Sequence, residues 1–246
     1  MKKKKLLFLV NEDSFFMSHR FEIGMAAVKN NYEVHLASNT KSKSSVTKKF
    51  FNFHYLNLSR KSMNLLIILR ELISIYILIR NIKPDIIHLI TIKPVLLGGL
   101  VSKILKIKSV VVSISGMGYL YTENNFKTYI VKKIIKLFYN FSFLGKNIIF
   151  ICQNNSDRNE IKNIINHKVK IKLIKGSGVD LKKFKKYALP VTKKPIVMFP
   201  SRFLKHKGII EFCKAAEILK KDINAKFVIV GKIDNQTLNF FKEFEH

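Results

Sequence analysis

The chain has 246 residues, 48% of them hydrophobic, a proportion that supports a sizeable core and excludes global disorder. Lys and Arg number 45 against 16 Asp and Glu, a formal net charge of +29, so the surface attracts polyanions such as nucleic acid, anionic lipid headgroups or phosphorylated substrates. The two cysteines, Cys152 and Cys213, build no disulfide framework and fit a reducing compartment.

In chain order, "KLLFLV" reads as a strand. The basic start before it resembles the opening of a signal peptide, but the apolar run stops at Val10, too short for one. "MSHRFEIGMAAVKNN" reads as a helix, "EVHLAS" and "FHYLNL" as strands, and "MNLLIILRELISIYILIRNI" as a long helix ended by Pro84. Within it, Leu65 to Ile79 is the best candidate for a membrane span, yet Arg70 and Glu71 interrupt it and a buried helix is the better reading. "DIIHLI" is a strand, "PVLLGGLVSKILKI" a helix with Pro94 in its first turn, "SVVVSIS" a strand, "FKTYIVKKIIKLFYNFSFL" a helix and "NIIFIC" a strand. Strands so continuously rich in Val, Ile and Leu argue a parallel sheet covered on both faces, and their alternation with helices argues a doubly wound α/β fold. The basic, proline-flanked "DLKKFKKYALPVTKKP" reads as a linker, dividing the chain into a first domain over 1–180, a linker over 181–195 and a second domain over 196–246. "PIVMFPS", a helix from "KGIIEFCKAAEILKK" and the strand "AKFVIVG" restart the pattern. A Rossmann-like domain needs on the order of 150 residues, so the second domain reads as incomplete.

Ligands of open parallel sheets sit at the carboxyl ends of the strands. The loop "NEDSFFMSHR", Asn11 to Arg20, lacks the G-x-G-x-x-G of a dinucleotide site, which disfavours a nicotinamide enzyme. Ser18 is placed either to cap a helix beginning near His19 or, with His19 and Arg20, to face a ligand. His88 lies on a buried strand as a core group or a catalyst, with Lys93 just past the strand end. Ser115, Gly116, Met117 and Gly118 form either a tight strand-to-helix turn or a loop that lets backbone approach a ligand closely. In "IKGSGVDLKKF", Gly176 and Gly178 flank Ser177 at another strand end. In "PSRFLKHKG", Arg202 and Lys207 bracket a turn into a helix, where free N–H groups and the dipole favour an anion; they form a diphosphate clamp or a solvated basic loop. Projected at about 100° per residue, Ile130, Val131, Ile134, Ile135, Leu137, Phe138 and Phe141 share one helix face. Lys132, Lys133 and Lys136 cluster opposite, so the helix covers the sheet or lies on anionic membrane. There is no D-x-D pair, H-E-x-x-H, C-x-x-C, G-x-S-x-G or P-loop, and no recognition module for a specific nucleic acid.

In this order, "FFMSHR", "PDIIHLITIKPVLLGG", "VSISGMGY", "ICQNNSDRNE", "IKGSGVDLKKF" and "FPSRFLKHKG" resemble family 4 of the GT-B glycosyltransferases, over nearly the full chain. The closest branch adds sugars to polyprenyl-diphosphate-linked glycans for capsule, O-antigen or protein glycosylation. The resemblance implies two Rossmann-like domains and a retaining transfer from a nucleotide-sugar, with no cofactor and no bound metal. The pair matching Arg202 and Lys207 would neutralise the departing diphosphate. The loops Asn11 to Arg20 and Ser115 to Gly118 would face acceptor and sugar, the second of them on the interdomain cleft. The implied partners are the nucleotide-sugar, the polyprenyl-diphosphate-linked acceptor and the anionic inner face of the membrane, for a cytoplasmic protein held there peripherally. Members of the family carry an E-x₇-E segment late in the second domain, and the glutamates of "FFKEFEH" are no substitute for it. Impaired catalysis is therefore expected of this chain. The competing readings are a non-catalytic acceptor- or membrane-binding protein with a complementing chain, and a general polyanion binder.

Overall fold

The computed structural model describes residues 2–39, 49–59, 62, 64–114, 116, 126–145, 147–188, 194–201, 203 and 207–231. Ser115, Met117, Gly118, Arg202, the side chain of Val131 and the segment 232–246 lie outside the described residues. The chain divides into two units, Met1–Asp180 and Leu181–His246.

The first unit is built on seven strands: β1 (Lys5–Leu9), β2 (Glu33–Ser38), β3 (Asn52–Tyr55), β4 (Ile86–Ile90), β5 (Ser109–Ile114), β6 (Ile148–Cys152) and β7 (Lys170–Leu173). They pair in the order β3-β2-β1-β4-β5-β6-β7, every pair parallel. Along β1, Leu7 and Leu9 enter one core cluster while Leu6 and Phe8 enter the other. Both faces of the strand are buried, which is why its residues show no polar alternation. Helices α1 (Asp13–His19) and α2 (Phe21–Lys29) cover one face, with Phe16 packed edge-on against Phe8 and Phe51. Helices α3 (Leu65–Ile82), α4 (Ile92–Ile104), α5 (Phe126–Ser142) and α6 (Asn155–Ile164) cover the other. Asn64 caps α3 by accepting from the amides of Leu66 and Ile67, and Asn154 caps α6 through the amide of Asp157.

Helix α4 packs tightly through two glycines, Gly98 toward the sheet and Gly99 toward Phe143. A Cβ on Gly98 would stand 2.6 Å from Leu89 Cδ2 and 2.7 Å from Leu9 Cδ2, and one on Gly99 would stand 2.6 Å from Phe143 Cζ. The start of α4 is tied to the chain after β3 by charge. Lys93 Nζ lies 2.6 Å from Glu71 Oε2 and donates to the Ser59 carbonyl at 2.7 Å, while the Ser59 amide donates to Glu71 Oε1 at 2.6 Å. Glu71 is 2% exposed, so this is an interior ion pair in which Oε1 accepts from the Ser59 amide and Oε2 faces the Lys93 ammonium.

Four expectations are corrected. The single helix expected from Met17 to Asn31 is two, because Arg20 leaves helical geometry at φ −134° and ψ −4° while hydrogen bonds run on through it from the Phe16 carbonyl and to the Gly24 amide. Ser18 is no cap: it lies inside α1, and its hydroxyl donates back to the Ser14 carbonyl at 2.8 Å. Helix α3 is not buried all round. Ile75, Ile79 and Ile82 face the core, while Leu65, Leu66, Leu69, Ile73 and Ile77 are exposed. In α5 the buried stripe is Ile135, Tyr139 and Ser142, not the projected set, and Ile130, Ile134, Leu137 and Phe141 are exposed. Tyr139 wins because it joins Phe143 and Phe150 in an aromatic cluster at centroid distances of 5.3 and 6.2 Å. No helix among the described residues is long and apolar enough to cross a membrane.

In the second unit, β8 (Ile196–Pro200) and β9 (Lys226–Val230) pair in parallel, joined by α7 (Ile209–Leu219). Phe212 of α7 packs against Phe199 and Phe227.

Two substitutions test this scaffold. Gly98→Val forces a branched side chain between Leu9 and Leu89 and is expected to destabilise the first unit by about 3 kcal/mol, read from urea unfolding; an unchanged midpoint would contradict the close packing of α4. Glu71→Leu leaves Lys93 unpaired and is expected to cost roughly 3 kcal/mol. Adding Lys93→Leu should restore most of that loss.

Candidate active site

The chain runs outward from β1 to β2 and β3, then returns to β4 on the other side of β1. The carboxyl ends of β1 and β4 therefore flank the switch point of the sheet, the crevice where such folds place ligands. Asn11 follows β1, is 7% exposed, and has no partner for its Oδ1. Its amide points to Thr91 Oγ1 at 3.4 Å. Thr91 follows β4 at φ 72° and ψ 156°, a region that a β-branched residue rarely enters and that marks stored strain. Ser38 Oγ and Asn39 Oδ1, at the end of β2, are also buried without a partner.

On the α1/α2 face of the same edge, the break between those helices turns the Arg20 side chain inward. Nη1 donates to the His19 carbonyl and to Ser177 Oγ, each at 3.0 Å, across 157 residues of sequence to the loop after β7. Gln153 Nε2 reaches the same hydroxyl at 3.4 Å. Burial pulls the Arg20 pKa below its ordinary value, and no carboxylate pulls it back. His88 lies beside Phe8, with ring centroids 5.2 Å apart, and its Nε2 is hydrogen-bonded to Ser113 Oγ at 2.7 Å. Full burial, with a smaller contribution from Arg20, pushes its pKa down to about 3. The imidazole is therefore neutral at physiological pH: it can orient a hydroxyl but adds no positive charge to a phosphate.

The fold thus brings together Arg20, His88 and Ser177 from among the residues singled out in the sequence, and adds Ser113 and Gln153. Ser18 and His19 are exposed on α1, bonded to each other at 2.6 Å, with His19 stacked on Phe15. Lys93 lies in the helix layer on the other side of the sheet, engaged with Glu71. Gly116 follows β5 at φ 101°, a conformation suited to glycine. Gly178 is exposed at φ 72°. In the second unit, Lys207 is exposed immediately before Gly208, the N-cap of α7. Lys133 and Lys136 are exposed on α5, where the Lys133 ammonium sits 4.7 Å from the Tyr129 ring, and Lys132 is half-buried. Among the described residues, no group of three or more His, Cys, Asp or Glu side chains is placed to hold a metal ion. Asn39, Thr91 and Gln153 carried no signal in the sequence: a threonine's positive φ is imposed by its surroundings, and an isolated amide has no spacing to read.

The pattern of the "Glycosyl transferase 4-like" family matches residues 5–154, and that of "Glycosyl transferases group 1" matches residues 180–244. The chain is 33% identical over 189 residues to an N,N'-diacetylbacillosaminyl-diphospho-undecaprenol alpha-1,3-N-acetylgalactosaminyltransferase of Campylobacter jejuni, covering 72% of this chain and 49% of that protein. It therefore spans about half the length of this curated relative. Among solved structures, a glycosyltransferase from Rickettsia africae superposes with a TM-score of 0.71 at 19% identity, covering 100% of this chain and 64% of that one. Sucrose-phosphate synthase from Thermosynechococcus elongatus gives a TM-score of 0.67 at 14% identity, covering 99% and 68%. A UDP-N-acetylglucosamine 2-epimerase from Listeria monocytogenes gives 0.62 at 14%, covering 97% and 65%. The structural likenesses establish the GT-B-like fold alone, since epimerases share it. The family patterns and the Campylobacter relative establish more: this chain belongs to the glycosyl transferase 4-like family of GT-B glycosyltransferases.

Proposed function

We propose that the chain acts in a retaining transfer of a sugar from a nucleotide-sugar to a polyprenyl-diphosphate-linked glycan, of the kind destined for capsule, O-antigen or protein glycosylation. The observation that carries this reading is the 33% identity with a transferase whose named acceptor is a diphospho-undecaprenol-linked sugar. In the reaction, the bond between the sugar's anomeric carbon and the donor phosphate breaks, and the acceptor hydroxyl oxygen bonds to that carbon. The nucleoside diphosphate departs with the bonding electrons, and its released phosphate oxygen takes up the hydroxyl proton. Negative charge builds on the leaving diphosphate, and stabilising it is the largest single demand on the site. Arg202 and Lys207 are assigned to that task, in place of a metal ion. Lys207 stands exposed just ahead of the α7 N-terminus, where the helix dipole adds to its charge.

The acceptor's lipid places the enzyme at a membrane, and the α3/α4/α5 layer suits an anionic leaflet. Helices α4 and α5 contain no acidic residue, and the single acid of α3, Glu71, is buried and paired. Exposed Ile134, Leu137 and Phe141 alternate with exposed Lys133 and Lys136 on α5. Apolar side chains enter the headgroup boundary while lysines meet the anionic lipid. Peripheral attachment at the inner membrane face follows.

Two experiments test this. Replacing Arg202 and Lys207 together by Ala is expected to weaken binding of uridine diphosphate at least tenfold, roughly one charge-assisted hydrogen bond's worth, with the circular dichroism unchanged; equal affinity would remove them from the donor site. Changing Lys132, Lys133 and Lys136 to Glu is expected to release the chain from vesicles containing phosphatidylglycerol. Equal co-sedimentation of variant and parent would count against membrane contact through α5.

A further inference from the structure

Among the described residues, Arg20 is a buried cation without a counter-ion. The residue is 4% exposed, its Nε has no acceptor, and Nη1 meets only neutral oxygens. Among the described residues no carboxylate lies within ion-pair distance of it, whereas Lys93 is held by Glu71 at 2.6 Å. Withdrawing a cation from water costs several kcal/mol, and a guanidinium does not shed its proton. Its surroundings are completed when an anion arrives.

One of those neutral oxygens occupies a position that a ligand oxygen can take. Ser177 is exposed and sits between Gly176 at φ 71° and Gly178 at φ 72°. These are left-handed conformations that glycine adopts without strain. Nothing lies within 4 Å of where a Cβ would stand on either glycine, so the loop has open space around it. Among the described residues, the amides of Gly176, Ser177 and Gly178 find no acceptor. Consecutive free amides in a turn of this kind form a concavity for anions. A guanidinium whose Nε has no acceptor, the hydroxyl that its Nη1 holds and three amides with no acceptor among the described residues therefore gather at the carboxyl edge of the sheet.

We propose that Arg20 and the Gly176–Gly178 loop form a phosphate-binding site within the first unit, in which a phosphoryl oxygen displaces Ser177 Oγ from the guanidinium. The inference deepens the transferase reading and rests on it only for the source of the phosphate, which is either the lipid diphosphate of the acceptor or the diphosphate of the donor. Both present the paired oxygens that a planar fork grips.

The test is calorimetric titration of the whole chain with inorganic pyrophosphate at about 0.15 M ionic strength, where non-specific surface attraction is screened. Arg20→Gln is expected to weaken binding by about tenfold or more, while Arg80→Gln, at an exposed position on α3, leaves it unchanged. Equal affinity of a folded Arg20→Gln variant and the parent would overturn the site, as would an equal loss in both variants. Ser177→Ala keeps Arg20 and removes the competing hydroxyl, so its affinity is expected to hold or rise. A tenfold fall there would overturn the displacement, and this variant decides alone if Arg20→Gln does not fold. Repeating the titrations with uridine diphosphate and with geranyl diphosphate separates the sources. Arg20 dependence confined to geranyl diphosphate assigns the acceptor, and dependence confined to uridine diphosphate assigns the donor; dependence in neither overturns the proposal. Arg20-dependent pyrophosphate binding in a chain that binds no nucleotide-sugar would sink the transferase reading and leave the site standing.

Discussion

A tight hairpin joins only antiparallel strands; each strand of a parallel sheet must be reached by a crossover, and each crossover carries the chain back to the same end. That constraint organises the first unit. Seven parallel strands deliver seven loops to one carboxyl edge, and the return from β3 to β4 past β1 opens the crevice there. Asn11 meets Thr91 across 80 residues of sequence, and Arg20 meets Ser177 across 157, for this reason. Gly98 of α4 serves the same end by letting that helix settle against Leu9 and Leu89, while Gly99 makes room for Phe143.

The interior charges divide into two kinds. Glu71 and Lys93 neutralise each other and bind the Ser59 backbone between them, so they shape the chain after β3 and leave nothing over for a ligand. Arg20 has no such partner among the described residues, and the unpartnered oxygens of Asn11, Ser38 and Asn39 lie at the ends of strands on the same edge. Buried polar atoms are rarely left unmet in folded proteins, and where several gather at a switch point the economical explanation is a ligand. His88, by contrast, is neutral and satisfied by Ser113, and it contributes shape and hydrogen bonding to the edge rather than charge.

The helices that cover the sheet show how far apolar patterning reaches. The expectation of parallel strands covered on both faces, and the positions of most elements, follow from Val, Ile and Leu in unbroken runs, a pattern that only a doubly buried strand needs. Which stripe of a helix faces inward is another matter. In α5 and α3 the apolar residues exceed one face, so sequence periodicity has more than one solution. The choice falls to neighbours: Phe143 and Phe150 draw in Tyr139, and the sheet draws in Ile75 and Ile79. The stripes that lose, Leu65, Leu66, Leu69, Ile73 and Ile77 of α3 and Ile130, Ile134, Leu137 and Phe141 of α5, are left exposed.

By itself the sequence determined the doubly wound α/β class, the strongly basic composition and the ordered motifs of a GT-B glycosyltransferase. All of these are local or compositional, set by runs of residues and the physics of burying them. Only the tertiary structure decided that Arg20 interrupts a helix to meet Ser177, that Lys93 belongs to Glu71, that Ser18 bonds back along its own helix, and that Thr91 takes a positive φ. Each of those is a contact or strain between segments distant in the chain, whose energy comes from the partner that folding brings. No spacing along one segment encodes it.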